Sequence, residues 1–365
     1  MKLRGGFIHM KRVRYGTGFA LVVAALLASA CVSMGPNTIP RDQFDYGAAI
    51  ANSGKNQLLF NVVRLRYVEA PVFVEVSSVI NQYSLEGEVA LGGGMNTSVA
   101  NNNTMTVGGA GRYADRPTIT YTPIAGQKFA SSLLTPIAPE HLFALVQAGW
   151  PAEVILRLTV RSINGLENEW ASPAHRKQAD PRFTELLHAW SRLREARAIG
   201  LRREGKGGDA QIIVYQSGTE LKDEVKADLA FLQEVLGLDP EAREYRLSYG
   251  LVPDQTNEIV VLTSSILEIM NELAWRIDIP PGHIEEGRTG TTFTTESADT
   301  RPLIRVHYAK DRPDDCYVTV RNRDFWFYID DRDVVSKRTF AMLQIILSMT
   351  DSGDKGLGPV VSISN

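Results

Sequence analysis

Residues 316–350 read CYVTVRNRDFWFYIDDRDVVSKRTFAMLQIILSMT. Cys316-Tyr-Val-Thr-Val320 and Phe325-Trp-Phe-Tyr-Ile329 are short runs rich in β-branched and aromatic residues, which predicts two strands. Asp331 to Thr350 then reads as a helix. In the second strand Phe325 and Phe327 share one face, Trp326 and Tyr328 the other. A strand apolar on both faces is usually central in a covered sheet. A ligand platform is the other use of such a surface; core packing is the plainer one.

Working outward, the same mixture recurs. Ile212 to Tyr215, Tyr245 to Leu251, Glu258 to Leu262 and Leu303 to Tyr308 read as strands, with a last one at Val360 to Ile363. Phe183 to Arg203, Thr219 to Leu236 and Ser264 to Ile277 read as helices. Hairpins mixed with about three helices predict an α+β fold with a mixed sheet, not a doubly wound parallel one. No tandem repeat is present.

The first half has a different texture. Leu58, Leu59, Val62, Val63 and Leu65 form a helical stripe after Asp42, with Arg64 and Arg66 expected to turn away and Pro71 to end the helix. Val72 to Leu91 reads as strand, Gly92 to Asn103 as a long flexible tip, and Thr104 to Tyr113 and Thr118 to Thr122 as returning strands. After Ala125 the period becomes helical, with Pro139 and Pro151 opening helices and Gly165 as a C-cap beyond Ile163. The expected organisation is a leader at 1–30, a tether at 31–41, an N-terminal part at 42–170, a Pro-containing linker at 171–181 and an α+β domain at 182–365.

In the alternating run, Tyr83, Leu85, Gly87, Val89 and Leu91 fall on one face and Ser84, Glu86 and Glu88 on the other. In its return Met105, Val107, Gly109, Gly111 and Tyr113 share a face. Each run is close to the roughly 9–11 residues that cross a bilayer as a strand. Tyr83 and Tyr113 would then sit at one end, like an aromatic girdle. One hairpin cannot span alone, because its edges leave backbone groups unpaired, so several copies would have to contribute. The alternative is a soluble hairpin whose greasy face packs on the helices after residue 125.

Lys and Arg number 39 against 42 Asp and Glu. Loss of residues 1–30 would remove Lys2, Arg4, Lys11, Arg12 and Arg14 and no acid, moving the formal net charge from −3 to −8. That argues against a general nucleic-acid binder, which would show a basic excess. The length left suits about two domains.

Near the N-terminus, Lys11, Arg12 and Arg14 precede Phe19-Ala-Leu-Val-Val-Ala-Ala-Leu-Leu-Ala-Ser-Ala30 and then Cys31. Basic, apolar and small-residue segments in that order make a secretory signal, and the apolar stretch is shorter than the roughly 20 residues of a membrane span. Met10-Lys11-Arg12 begins a signal of standard shape, so the start lies at Met1 or Met10. Leu27-Ala28-Ser29-Ala30-Cys31 resembles the lipobox of bacterial lipoproteins, although Ala28 stands where that family most often has leucine. The resemblance covers only residues 1–31. It implies diacylation of the Cys31 thiol, cleavage before it, and acylation of the new amino terminus. Val32 is not the Asp that retains such proteins at the inner membrane in enteric bacteria, which implies a lipid-anchored, periplasm-facing place at the outer membrane. If Cys31 carries lipid, Cys316, the second of two cysteines, has no intrachain partner. It reads as a small buried residue; a nucleophile would need an activating base.

The chemical motifs are weak. Gly200-Leu-Arg-Arg-Glu-Gly-Lys-Gly207 resembles a phosphate-binding loop but ends in glycine where a hydroxyl should hold magnesium, and follows a helix where it should follow a strand. His141, His175, His188, His283 and His307 have no metal-ligand spacing, and no nucleophile elbow occurs. Asp330, Asp331 and Asp333 cluster where a strand meets a helix. They could bind a metal or act as acid and base; the plainer reading is helix capping, with Lys337 and Arg338 as ion-pair partners. No catalytic residue, metal ligand or cofactor is assigned. The expected protein is a non-enzymatic structural or adaptor subunit of an envelope complex, its partners being the membrane and either its own copies or other envelope proteins. An oligomeric pore or secretion channel built on 83–113 is one alternative, and a periplasmic hydrolase using the acidic cluster the other.

Overall fold

The computed structural model describes residues 34–80, 83–94, 104–171, 176–204, 210–215, 222–293 and 302–350. Cys31 and the strand expected at Val360 to Ile363 lie outside these. The fold is α+β. The chain divides into two compact units, one holding residues 1–50, 78–120 and 361–365, the other 51–77 and 121–360.

Helix α1 (Met34–Arg66) begins earlier than the tether expected at 31–41 allows. Pro36 lies in its first turn, where a missing N–H breaks no bond, and Pro40 interrupts the ladder without ending it. Leu58, Leu59, Val62, Val63 and Leu65 are buried as the stripe predicts, but Arg66 does not turn away: it is fully buried. Two amides on the same helix serve as a template for the next strand. Asn61 exchanges both bonds with the backbone of Val72 (2.7 and 2.8 Å), and Gln57 does the same with Val74 (3.0 and 3.1 Å). Residues i and i+4 on a helix are spaced much like i and i+2 on a strand, so the two amides reach successive rungs.

Strands β1 (Val74–Ile80) and β4 (Thr118–Pro123) form one two-stranded sheet; β2 (Tyr83–Gly94) and β3 (Thr104–Asp115) form another. Then come a short helix α2 (Gly126–Phe129), a π-turn at Ala130–Leu134, α3 (Pro139–Gln147) and α4 (Ala152–Thr159). The predicted helix through Ile163 stops at Thr159. Val160–Ile163 is instead β5, and Asn164-Gly165, both at positive φ (46° and 80°), turns the chain into β6 (Leu166–Glu167). Asn-Gly is a hairpin turn, because both central residues tolerate φ > 0.

A six-stranded mixed sheet runs β6, β5, β12 (Glu258–Thr263), β11 (Glu244–Tyr249), β10 (Ala210–Tyr215), β9 (Ile199–Glu204). Only β11 and β12 pair parallel. This sheet draws strands from both sides of the stretch 171–181. Near that stretch β7 (Trp170–Ala171) pairs with β8 (Arg176–Lys177). Helix α5 (Pro181–Glu195) starts at an Asp180 cap and ends well before Arg203. Arg197 at φ 54° and the Ala198 N–H bonding Leu193 O (2.8 Å) close it.

Helix α6 (Asp223–Leu236) precedes β11, and α7 (Ile266–Ala274), opened by a Ser265/Glu268 capping box, follows β12. After α8 (Pro281–Glu285), strands β13 (His307–Ala309), β15 (Phe325–Asp330) and β14 (Cys316–Asn322) make a three-stranded sheet with β15 central. That agrees with its two apolar faces. Phe327 and Ile329 are buried, while Trp326 and Tyr328 are half-buried beside Arg312 and His307. Helix α9 (Val334–Thr350) buries Phe340, Met342, Leu343 and Ile346.

Candidate functional site

The acidic cluster sits at the β15–α9 junction, and each carboxylate has separate partners. Asp333 accepts from the Ser336 N–H (3.1 Å) and the Ser336 hydroxyl (2.7 Å), which makes it the N-cap of α9. Burial pushes its carboxyl up, but the two Ser336 bonds outweigh that and hold it below the ordinary range, helped by Arg305. Asp331 pairs with Lys337 (2.7 Å), and Asp330 accepts from the Arg332 N–H (2.7 Å). Arg332 pairs instead with Asp315. Lys337 therefore takes the role expected of it. Among the described residues no group of three or more His, Cys, Asp or Glu is placed to hold a metal.

The other sequence candidates scatter. His141 and His188 are exposed, and His175 lies outside the described residues. His307 bonds Asp278 (2.9 Å). His283 is buried, with Nδ1 2.6 Å from the Tyr67 hydroxyl. Burial, and then Arg288, lowers its pKa. Cys316 is only half-buried, its Sγ 3.6 Å from Pro313 O. Gly200 to Glu204 belongs to β9 and not to a helix end.

The positions proposed to face a membrane all lie in β2 and β3. The antiparallel register runs unbroken from Tyr83 opposite Asp115 to Gly94 opposite Thr104. It sets Leu85 opposite Tyr113, Val89 opposite Gly109, Leu91 opposite Val107 and Gly93 opposite Met105. The odd-numbered residues of both strands thus share one column, and the even-numbered ones, with Glu86 opposite Arg112, share the other. Both strands are 12 residues long. Among the described residues neither pairs with a third strand.

Three features escaped the sequence reading. Arg66 donates to Thr289 Oγ1 (2.8 Å), Gly290 O (2.8 Å) and Thr292 Oγ1 (3.3 Å) and lies over the Trp275 ring (4.4 Å). Burial lowers its pKa to about 10, which leaves it charged at neutral pH. Glu272 of α7 and Arg276, just past the end of that helix, pair in the interior beside Glu169 and Arg157. A cavity of about 510 Å³ opens between α3, α5 and β9, with Phe143, Val146, Trp190, Ile199 and Leu201 along its walls and Gln147, Arg194, Glu195 and Arg197 among its polar residues. Arg194 is committed in part to Val146 O (3.1 Å).

Compared with known proteins, the chain matches no protein-family model, no curated protein and no solved structure. Among the described residues no helix is long and apolar enough to cross a membrane.

Proposed function

We propose that this protein is a lipid-anchored subunit of an envelope assembly, held at Cys31 and facing the periplasm from the outer membrane. The observation that carries the assembly reading is the β2–β3 pair. Two 12-residue strands in continuous register, with two outer edges left unpaired by the described strands, are a template for association. The anchor rests on the lipobox resemblance of Leu27 to Cys31. The carboxylates that suggested a hydrolase are bound up in capping and ion pairing, which favours a structural role over that alternative.

A second reading, an oligomeric pore, draws on the same strands. The shared odd column gathers Tyr83, Leu85, Val89, Leu91, Met105, Val107 and Tyr113, and the strands are long enough to cross a bilayer. Intact-mass analysis tests the anchor: a mature chain beginning at Cys31 with acyl groups is expected, and one without them ends the idea. Mass in mild detergent and conductance in planar bilayers test the rest. A discrete oligomer without channels supports the adaptor, discrete channels support the pore, and a monomer without channels removes the assembly reading.

A further inference from the structure

We propose that copies of this chain join head to tail, the β3 edge of one copy pairing with the β2 edge of the next. This rests on the assembly reading above and names the partner as a second copy.

Charge distinguishes the possible junctions. Strand β2 carries Glu86 and Glu88 and no basic residue. The return arm carries Arg112 in β3 and Arg116 just after it, against Asp115. A junction of two β2 edges would bring the glutamates of both copies together. Like charges opposite one another destabilise a sheet, and unlike charges support it. Only the β3–β2 junction sets the acidic arm of one copy beside the basic arm of another.

Direction gives the same answer. Within a hairpin β2 and β3 run antiparallel. Copies anchored by the same residue in one membrane leaflet share a polarity. Side by side, β3 of one and β2 of the next then also run antiparallel, the more stable ladder, whereas two β2 edges would run parallel. A head-to-tail contact repeats until a ring closes, and closure leaves no strand edge open.

The test uses the full lipidated chain in mild detergent, with mass read by light scattering and strand content by circular dichroism. Three samples are compared with wild type: Glu86→Lys/Glu88→Lys, Arg112→Glu/Arg116→Glu, and an equimolar mixture of the two refolded together. Head-to-tail pairing predicts that each double variant alone loses the oligomer, since lysines then meet arginines, or glutamates meet glutamates; because residues 86 and 112 also face each other within one hairpin, Glu88→Lys and Arg116→Glu, which leave that pair intact, are read beside them and should weaken the oligomer in the same way. The mixture should regain it as an alternating ring, because both of its unlike junctions are again complementary. If Arg112→Glu/Arg116→Glu alone keeps the wild-type mass, β3 is not at the junction and the proposal fails, while the assembly reading stands. A mixture that stays monomeric also overturns it; a variant that has lost strand content is replaced by its single Glu88→Lys or Arg116→Glu counterpart. A monomeric wild type overturns the assembly reading itself.

Discussion

Glu272, in the last turn of α7, and Arg276, two residues past its end, meet at 3.0 Å with side chains only 9% and 7% exposed. The pair is not isolated, because Glu169 approaches the same guanidinium at 3.5 Å and Arg157 adds a second positive charge nearby. Burial dominates: it raises the Glu272 carboxyl from 4.5 to about 7, against the opposing pull of Arg276. The folded state therefore holds a proton that the unfolded chain has released.

That sets the sign of a pH dependence. Because the folded value is the higher one, Glu272 contributes most below about pH 4.5, and the contribution is lost as pH rises through about 7. Urea midpoints of the wild type should fall between pH 5 and pH 8, and those of Glu272→Gln should fall less. Parallel slopes for the two proteins would show that another group is responsible.

The cap of α9 gives a second prediction. Asp333→Ala should cost about 0.5–2 kcal/mol, the usual range for losing a cap that accepts from N3. Asp331→Ala removes an exposed ion pair with Lys337 and should stay within about 0.5 kcal/mol. Because the folded Asp333 value is depressed, its share of stability is present above the unfolded value and is lost as pH falls through the folded one. Equal losses for the two variants in urea titrations would contradict the assignment of the cap.

How far the sequence disclosed this arrangement depends on which signal dominated locally. The strand–strand–helix unit at 316–350 was readable because its periods are clean and its cap is an Asp. The β2–β3 alternation was equally plain. The hairpin at Asn164-Gly165 is announced by its dipeptide, but the preceding apolar residues also fit a helix, and the helical pattern masks it. The charge of Arg66 points outward, yet Leu59, Val62 and Val63 put residue 66 on the same stripe at i+7, i+4 and i+3. Its partners, Thr289, Gly290 and Thr292, are more than 220 residues away. No local pattern reports such a contact, nor the elements that crowd Glu272.

Arg66 should accordingly tolerate little. Lysine cannot reproduce a fork that reaches Thr289 and Gly290 from two nitrogens while stacking on Trp275. Hydrogen bonds to a charged group are worth roughly 1.5–3 kcal/mol each, so Arg66→Lys is expected to lose at least one such increment and Arg66→Ala more. A denaturation midpoint unchanged by Arg66→Lys would mean that the 289–292 segment is held by other contacts.

Lipid anchoring and strand insertion make different demands on the membrane, and replacing the leader separates them. Suppose residues 1–31 are exchanged for a cleavable secretory leader, so that no Cys31 is left to acylate. Stable anchoring by acyl chains needs two membrane signals, and a chain with none should leave the membrane. If the lipid is the only attachment, the exported protein is expected in the soluble periplasmic fraction at its normal yield. If β2 and β3 insert together with those of other copies, the closed strands hold the protein in the bilayer without lipid, since every backbone group is then paired. Such a protein would stay with the membranes through alkaline extraction and still open channels. Fractionation of the leader-exchanged protein is therefore the measurement: soluble recovery favours the adaptor and rules against an independently inserted pore, and extraction-resistant recovery with conductance does the reverse.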